Sequence, residues 1–537
     1  MTSKQQFYRH KRVLVVDDSD QIRSYLRSML QLIGFDDISL ARDADVALSH
    51  CRKSRFDFIL CDYQLGHGRD GYQLFELLRA EHLISAGGCF LVISAERQRH
   101  AVYGMIEFQP DDYLLKPFSY AELERRIARA FHIKQVLKPA YAAIMAHDYA
   151  AALLACDEAI VHKPKYSLHV VRLKAELLIR TGDYIQAEQW YETALAQRDF
   201  AWARLGLAVC YGYQDRYAEA QALLEELGQL HETRIEALDW LGRLHMRLGD
   251  IPSALDAIRV VAKTSPKNYL RQHVLANLAM MADDRDTAVQ VHHRLLSAAR
   301  YSMYDTADNM LNYARALLEQ AKVLQGVAQQ DVLARIDSFV TTIKKRFHPS
   351  SYEHDRLVIE ARALMLQGKR LKALSLLHLS ESLLEDKTLS TAALLDRARA
   401  YFEAGNLSMC DKYMQAASAT YEPHDLYGNT LALMIEHEQR KHQGLRDSIM
   451  QQHSAGMTAY GNGDMSLAID YFRSALASMP TNLNIAMNLV AAIAQHSHYS
   501  KELKTLAEQC FELFEHSSLT EDQQRRLQQI YQQWPHF

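Results

Sequence analysis

The sequence predicts an α/β domain with a doubly wound parallel sheet over residues 1–137, followed by an all-α repeat array over residues 138–537. Two observations lead to this fold class. Near the start, short apolar runs that end in polar residues alternate with segments of helical periodicity, which is typical of a parallel sheet covered by helices on both faces. Farther along no such runs recur, and a similar phrase returns about every 34 residues.

Length, composition and charge exclude several classes of protein. A chain of 537 residues exceeds what one hydrophobic core usually serves. Hydrophobic residues make up 48% and charged residues 23%, which does not fit a disordered chain. The formal net charge is only −4, and no basic block is present, so we expect no direct binding to nucleic acid.

The cysteines and the hydropathy predict a cytoplasmic protein. The cysteines are scattered and form no C-x-x-C pair, which fits reduced thiols better than a disulfide frame or a zinc site. No segment approaches the run of roughly 20 apolar residues that spans a bilayer, and MTSKQQFYRHKR lacks the apolar centre of a signal peptide. We therefore expect no membrane insertion.

Five segments are predicted strands of the first domain. In chain order they are RVLVVDD from Arg12, DISLA from Asp37, FDFILCD from Phe56, CFLVISA from Cys89 and DYLLKPF from Asp112. Helical periodicity marks intervening segments such as SDQIRSYLRSMLQLIG and GYQLFELLRAEH. The carboxyl ends of parallel strands line one crevice, so the polar residues that end these strands should meet there. They are Asp17, Asp18, Asp62, Ser94 and Lys116.

The residue types at that edge indicate phosphoryl chemistry. Asp17, Asp18 and Asp62 would repel one another at close range without a cation, and an all-oxygen cluster suits Mg²⁺. Lys116 and Ser94 could bind the oxygens of a transferred phosphoryl group. Taken singly, each residue has a simpler alternative, because an Asp after a strand is often a turn or N-cap residue.

The segments VVDD, LCD, VISAE and DYLLKPF resemble the receiver domain of two-component response regulators, over roughly the first quarter of the chain. The resemblance implies a flavodoxin-like fold in which Asp62 accepts a phosphoryl group from a sensor histidine kinase or a phosphotransfer protein. It implies that Asp18 and Asp62 hold Mg²⁺ directly. Asp17 would act partly through water, and the backbone carbonyl of Gln64 would complete the protein ligands.

The same resemblance gives roles to the remaining residues. It makes Ser94 the switch hydroxyl, Lys116 the phosphate partner and Tyr113 the aromatic residue that changes rotamer. Gln64 and Glu96 fall where receivers tune dephosphorylation. No enzymatic activity is expected beyond Mg²⁺-dependent self-phosphorylation and autodephosphorylation.

The loop after Asp62 departs from the receiver pattern. Many receivers have Met-Pro after the phosphorylated aspartate and an Asp-Gly pair seven and eight positions on, whereas LGHGRDG places Asp70 and Gly71 eight and nine positions on. The loop is therefore one residue longer and richer in glycine. This departure leaves the metal and acceptor residues unchanged. The resemblance therefore does not predict the loop geometry, the lifetime of the phosphoryl group or the docking of partners.

A recurring phrase marks the repeat array. Examples are HDYAAALLACDEAIVHKP, GDYIQAEQWYETALAQRD and GDIPSALDAIRVVAKTSP, and the aligned positions are Tyr149, Tyr184, Tyr217, Ile251 and Arg285, which are 35, 33, 34 and 34 residues apart. Glycines at 182, 249, 405 and 463 are predicted to end one helix, and the Asp or Asn after each to cap the next. The array resembles a tetratricopeptide-repeat solenoid, clearest over about 141–290 and 355–490. Segments near 290–350 and 420–445 fit poorly and could be divergent helices, a bend or an insertion.

A solenoid of this kind usually binds a protein or peptide along a concave surface. Seven residues are candidates for that surface, although aromatic residues at helical spacing are more often core. They are Tyr211, Tyr213, Asn277, Asn312, Tyr313, Asn484 and Asn488.

These features favour a bacterial phosphorelay response regulator whose output is protein binding. We expect a helix over roughly 119–136 and a short connection, 137–139, through which phosphorylation acts on the array. The alternative is that the repeat domain acts as a phosphatase or antagonist toward another regulator or kinase. The sequence does not determine the oligomeric state, and a homodimer is one alternative.

Overall fold

One five-stranded sheet forms the centre of the first domain. The computed structural model describes residues 7–95, 110–384, 387–420, 426–496, 500–515 and 519–534. The strands are β1 (Arg12–Val16), β2 (Asp37–Ala41), β3 (Phe58–Asp62), β4 (Cys89–Ser94) and β5 (Asp112–Leu115). All neighbouring strands are parallel, in the order β2-β1-β3-β4-β5. The order changes direction at β1, which is the predicted doubly wound topology.

Helices cover both faces of this sheet. They are α1 (Asp20–Ile33) and α4 (Tyr120–Met145) on one face, and α2 (Ala44–Lys53) and α3 (Gly71–Ala80) on the other. Successive strand residues point to opposite faces. Val13 and Val15 accordingly pack in the first core, while Leu14 and Val16 pack in the second. Burial on both faces explains why β1, β3 and β4 read as nearly continuous apolar runs.

Helix α4 does not end where the sequence predicted. We expected a helix over 119–136 and a connection over 137–139, but α4 is continuous through both. Pro139 lies inside it, although proline has no N–H to donate and usually ends or kinks a helix. Leu137 and Ala140 are buried against the next helices, and this packing offsets the missing hydrogen bond. The predicted domain boundary at 137 therefore lies within a helix that packs on both sides of it.

The rest of the described chain is helical. The helices are α5 (Tyr149–His162), α6 (Ser167–Thr181), α7 (Tyr184–Gln197), α8 (Ala201–Tyr213), α9 (Tyr217–Leu227), α10 (Arg234–Arg247), α11 (Ile251–Thr264), α12 (Tyr269–Met281), α13 (Arg285–Ala298), α14 (Ala307–Ala321), α15 (Gly326–Arg346), α16 (Glu353–Leu366), α17 (Arg370–Ser382), α18 (Thr391–Glu403), α19 (Leu407–Ser418), α20 (Leu426–Gly461), α21 (Met465–Ser478), α22 (Leu483–Gln495), α23 (Lys501–Glu515) and α24 (Glu521–Gln533). This succession is consistent with the predicted helical repeat solenoid. Helices α13 to α15 and α20 occupy the segments that fitted the repeat poorly.

The predicted glycine helix ends and aspartate N-caps are confirmed. Gly182 ends α6 with φ of 84°, a left-handed conformation that glycine adopts without a side-chain clash. Asp183 then caps α7 by accepting from the backbone N–H of Gln186. Gly463 and Asp464 repeat this arrangement between α20 and α21. The sequence phrase thus encodes the turn between two helices.

The chain forms two compact units. The first comprises Met1–Leu275 and Arg294–Asp305, and the second comprises Ala276–His293 and Thr306–Phe537. Within the described ranges, no helix is long and apolar enough to cross a membrane.

The second unit contains buried charges that we call the arginine network. Arg362 has a side chain only 1% exposed and donates to three carboxylates. They are Glu319, Asp396 and Glu403. Arg397, which is also fully buried, donates to the Asp355 carboxylate at 3.2 Å. Several charges that sequence patterning would assign to a solvated face are therefore internal.

Candidate functional site

The polar residues that end the strands meet at one edge of the sheet. Parallel strands bring their carboxyl ends together there. Asp17 and Asp18 follow β1, Asp62 ends β3, and Ser94 ends β4. Lys116 follows β5, and its backbone N–H donates to the Ser94 carbonyl at 2.8 Å. The predicted site residues of four different strands thus form one cluster.

Three carboxylates form the centre of this cluster. Asp17, Asp18 and Asp62 each offer one oxygen, and these oxygens lie within 4.8 Å of one another. Asp17 is buried, and its Oδ1 accepts from the Ser19 backbone N–H at 2.9 Å. Asp18 is exposed. The set is all oxygen and open to solvent on one side, which suits a hard divalent cation that keeps several waters.

Lys116 is the cation that lies between the carboxylates. Its Nζ donates to Asp62 Oδ2 at 2.6 Å and to Asp17 Oδ2 at 2.8 Å. Burial opposes the charged ammonium, but these two hydrogen bonds raise the pKa of Lys116 above its ordinary value. Burial also raises the pKa of Asp62, with Lys116 opposing this rise and Asp17 adding to it. The charge on Asp62 therefore depends on nearby positive charge, which a bound cation would increase.

The other predicted residues surround this centre. Ser94 is buried at the end of β4. Gln64 is exposed, and its backbone N–H donates to Asp62 Oδ1 at 3.3 Å. Tyr113 is half-buried on β5 and packs against the core beneath α2 and α3. Glu96 lies outside the described residues.

The longer loop fits closely around the carboxylates. Gly66 has φ of +71°, and a Cβ there would lie 3.0 Å from Asp18 Oδ2. Gly68 also has positive φ, at +98°. Asp70 begins α3 with a reciprocal capping box, because its side chain accepts from the Gln73 backbone while the Gln73 side chain accepts from the Asp70 backbone. The extra residue is therefore accommodated in the glycine-rich loop between Asp62 and Asp70, and Asp70 fixes the start of α3.

A groove of about 1010 Å³ lies in the first unit and reaches from the beginning of β5 to the helical region. Tyr113 and Arg126 line one side of it, and Trp202 and Trp240 line another. None of the seven candidates from the sequence lines this groove. Asn277, Asn312, Tyr313 and Asn488 are buried, and for Tyr313 this is the core position predicted as the alternative for aromatic residues.

Sequence reasoning missed two residues that contact the site. Arg23 on α1 donates to the Asp17 backbone carbonyl. Lys267, in the helical region, forms an ion pair with Asp70 at 2.7 Å. The α1 periodicity could have placed Arg23 near the first strand, but no local pattern indicates a partner for Lys267 about 200 residues before it.

The sheet, the acidic cluster and the lysine together define a known class of domain. Residues 13–128 match the family described as the response regulator receiver domain. The N-terminal part of the chain is therefore a receiver domain with the flavodoxin-like fold, and a long all-helical region follows it. A receiver domain supports a role in phosphorelay signalling.

Similarity to individual proteins covers the receiver domain. The chain is 28% identical over 123 residues to the chemotaxis protein CheY-3 of Vibrio cholerae, a match that spans 23% of this chain and 93% of that protein. It is 27% identical over 120 residues to the chemotaxis protein CheY of Pseudomonas aeruginosa, spanning 22% and 95%. The solved receiver domain of the Francisella response regulator 1452 is 27% identical and aligns over 23% of this chain and 98% of that chain, with a TM-score of 0.21.

Proposed function

We propose that this protein is a phosphorelay response regulator in which Asp62 accepts a phosphoryl group from a sensor histidine kinase or a phosphotransfer protein. One observation carries the proposal: the Asp62 carboxylate lies with Asp17 and Asp18 at a solvent-accessible sheet edge while Lys116 donates to it at 2.6 Å. A carboxylate kept only for structure would not need two further carboxylates within 4.8 Å.

The transfer follows from the positions of these groups. An Asp62 oxygen attacks phosphorus, an O–P bond forms, and the P–N bond to the donor histidine breaks with its electron pair left on nitrogen. Lys116 is positioned to bind a phosphoryl oxygen once the charge on Asp62 is shared with the new group. Ser94, at the end of the adjacent strand, is the hydroxyl that would contact another oxygen.

We propose Mg²⁺ as the cofactor of this site. The side chains of Asp18 and Asp62 and the backbone carbonyl of Gln64 would hold it, with Asp17 acting partly through water. When bound, the ion would neutralise the repulsion among the carboxylates and the incoming phosphoryl group. The chain's own contribution is an all-oxygen set already assembled in the fold.

The proposed output is binding of a protein or peptide by the helical region, which we assign to the tetratricopeptide class. Tyr113, the proposed switch residue, lines the same groove as Trp202 and Trp240. A change in the Tyr113 rotamer would therefore alter the shape of the groove directly. We also propose a cytoplasmic location, because the seven cysteines are all free thiols.

Labelling with a small phosphodonor tests the first half of this function. Full-length protein is incubated with acetyl phosphate and Mg²⁺, and phosphorylation is followed by phosphate-affinity electrophoresis and peptide mass spectrometry. We expect label on Asp62, none in Asp62→Asn, and normal labelling in Asp36→Asn, an exposed carboxylate of the same domain. Label elsewhere, or unchanged labelling of Asp62→Asn, would refute the assignment.

Affinity capture tests the second half. Wild-type protein, Asp62→Asn and a Trp202→Ala, Trp240→Ala double variant are compared with and without beryllofluoride as a phosphoryl mimic. We expect a partner whose capture by the wild-type protein depends on beryllofluoride and is lost in the double variant. Identical capture by all three would contradict the proposed output.

A further inference from the structure

Lys267 of the helical region contacts both ends of the loop that follows Asp62. Its Nζ forms an ion pair with Asp70 Oδ2 at 2.7 Å and lies 4.8 Å from the centre of the Tyr63 ring. Asp70 closes the loop at the first turn of α3, and Tyr63 opens it directly after the phosphorylation site. Both are in the same compact unit as Lys267. One ammonium thus connects the beginning and the end of residues 63–70.

The contact continues along one face of α3. The Gln73 side chain donates to the Arg300 backbone carbonyl at 3.2 Å, and the Glu76 carboxylate is hydrogen-bonded to Tyr304. Positions 70, 73 and 76 share a helix face because they are three residues apart. Tyr304 is itself held by stacking on Tyr269, with ring centres 4.1 Å apart. Lys267 is therefore one of three residues of the helical region that contact this face of α3. We call these residues, Lys267, Arg300 and Tyr304, the loop clasp.

The loop that the clasp contacts carries two parts of the phosphorylation site. Gln64 bonds to Asp62 through its backbone, and its carbonyl is the proposed metal ligand. Gly66 lies against the Asp18 carboxylate. Gly66 and Gly68, the two glycines with positive φ, lie between Leu65, which is buried in the core, and Arg69, which pairs with Asp45. The loop is held at these points and at its two ends, and Lys267 contacts both ends.

We propose that Lys267 is a positioning residue for the phosphoryl chemistry at Asp62: by holding the loop over the carboxylates, the helical region slows hydrolysis of the phosphorylated aspartate. This inference rests on the proposed function. In the hydrolysis, a water oxygen attacks phosphorus, and the bond between phosphorus and the Asp62 oxygen breaks with its electron pair left on the carboxylate. The water loses a proton to the solvent, and inorganic phosphate leaves. If residues 63–70 were held less firmly, the attacking water would reach the phosphorus atom more easily.

The clasp suits control of a rate better than support of the fold. Lys267 is 56% exposed, and exposed ion pairs contribute little to stability. The ion pair between Lys267 and Asp70 can nevertheless change the fraction of time that residues 63–70 lie against the carboxylates. We expect loss of the Lys267 charge to shorten the phosphoryl lifetime on the order of fivefold, since ion pairing and cation–π contact with Tyr63 are lost together.

The test compares full-length variants after labelling with acetyl phosphate and removal of the donor. Lys267→Met removes the charge and keeps the length of the side chain, Lys267→Arg restores the charge, and Lys263→Met changes an exposed lysine at the end of α11. Asp70→Asn keeps an N-cap oxygen and removes the charge that Lys267 binds. The decay of label on Asp62 is measured at several Mg²⁺ concentrations, together with the thermal unfolding temperature.

We expect faster decay in Lys267→Met and in Asp70→Asn, no further acceleration in the double variant, recovery in Lys267→Arg, and wild-type decay in Lys263→Met, all at an unchanged unfolding temperature. A decay in Lys267→Met that equals or is slower than that of the wild type overturns the inference while leaving the proposed function intact. Absence of label in the wild-type protein overturns both.

Discussion

Gly71 lies directly against the backbone of Asp62. A Cβ on Gly71 would be 2.2 Å from the Asp62 carbonyl oxygen and 3.1 Å from the Cys61 sulfur, and the Gly71 N–H donates to the Tyr63 carbonyl at 2.9 Å. Helix α3 therefore begins in contact with the end of β3, at a place where no side chain fits. The Asp-Gly pair that the sequence places one residue later than usual still provides this contact.

Gly71→Ala should displace Asp62, the proposed phosphorylation site. The new methyl group would force the backbone of Asp62 or the start of α3 to move, at a cost of about 1–3 kcal/mol in the free energy of unfolding. Small displacements of reacting groups reduce rates strongly, so we expect labelling by acetyl phosphate to slow at least about tenfold. Urea denaturation and initial labelling rates measure the two effects.

The control for this change is Gly68→Ala. Gly68 has φ of +98° with open space around it, so alanine there introduces backbone strain of about 1 kcal/mol without a steric clash. It should lower stability while leaving the labelling rate close to that of the wild-type protein. Wild-type labelling in Gly71→Ala would show that the close approach does not constrain Asp62.

Asp18→Asn should remove most of the stabilisation by Mg²⁺. Ligand that binds only the folded state adds RT ln(1 + [L]/Kd), about 2.7 kcal/mol at a hundred times Kd. Asp18 is exposed and belongs to the carboxylate cluster, so the substitution removes one proposed Mg²⁺ ligand and relieves like-charge repulsion. We expect the variant to be at least as stable as the wild-type protein in EDTA and to gain little from Mg²⁺. Thermal unfolding with and without Mg²⁺ measures this, and Asp36→Asn should respond like the wild type.

The receiver site could be predicted because its parts are fixed by local pattern and by the topology of parallel strands. Asp17, Asp62 and Lys116 each end an apolar run, and any parallel sheet in this order brings them to one edge. The turns of the helical region were predictable for a similar reason, since a glycine such as Gly182 and the following Asp183 act within one turn. In both cases a local residue pattern, combined with a general rule of chain geometry, was sufficient.

The features that were missed depend on long-range packing. Pro139 predicted a helix end, but burial of neighbouring Leu137 carries the helix through it. Lys267 lies in the turn between α11 and α12, and Arg362 lies in a helix that carries several charged residues. Whether such a cation is exposed or paired depends on carboxylates that other helices supply, and one sequence contains no signal for that pairing.

Arg362→Met should destabilise the second unit strongly. The arginine is 1% exposed and donates to Glu319, Asp396 and Glu403. Removing it takes one cation from these buried carboxylates, although Lys322 still pairs with Glu319 and Glu403. Breaking a buried ion pair typically costs about 3–5 kcal/mol. Urea denaturation of the full chain, followed by hydrogen exchange in α14, α16 and α18, measures the loss and its location.

The exposed Arg473 provides the matched control for that change. Its pairs with Asp470 and Glu502 are half or more exposed, so Arg473→Met should change stability by less than about 0.5 kcal/mol. Equal destabilisation by the two substitutions would contradict a special role for the buried arginine network.

His442 should make the stability of the second unit depend on pH. Burial lowers the pKa of His442 to about 4, and Arg399 also lowers it while Glu438 opposes the shift. The ring is stacked on Phe402, with centres 4.0 Å apart. Between pH 4 and the ordinary value of 6.5, the unfolded chain binds a proton that the folded chain does not. Stability therefore rises with pH through this window and is lost as the pH falls.

His442→Gln should reduce that dependence. From the shift to about 4, the wild-type protein should lose roughly 2 kcal/mol more than the variant between pH 7 and pH 5. Urea denaturation at these two pH values measures the difference, with His378→Gln as the control because His378 is exposed. The pH dependence of His378→Gln should match that of the wild type. If His442→Gln also matches the wild type, the buried imidazole is already protonated in the folded protein or does not resist protonation.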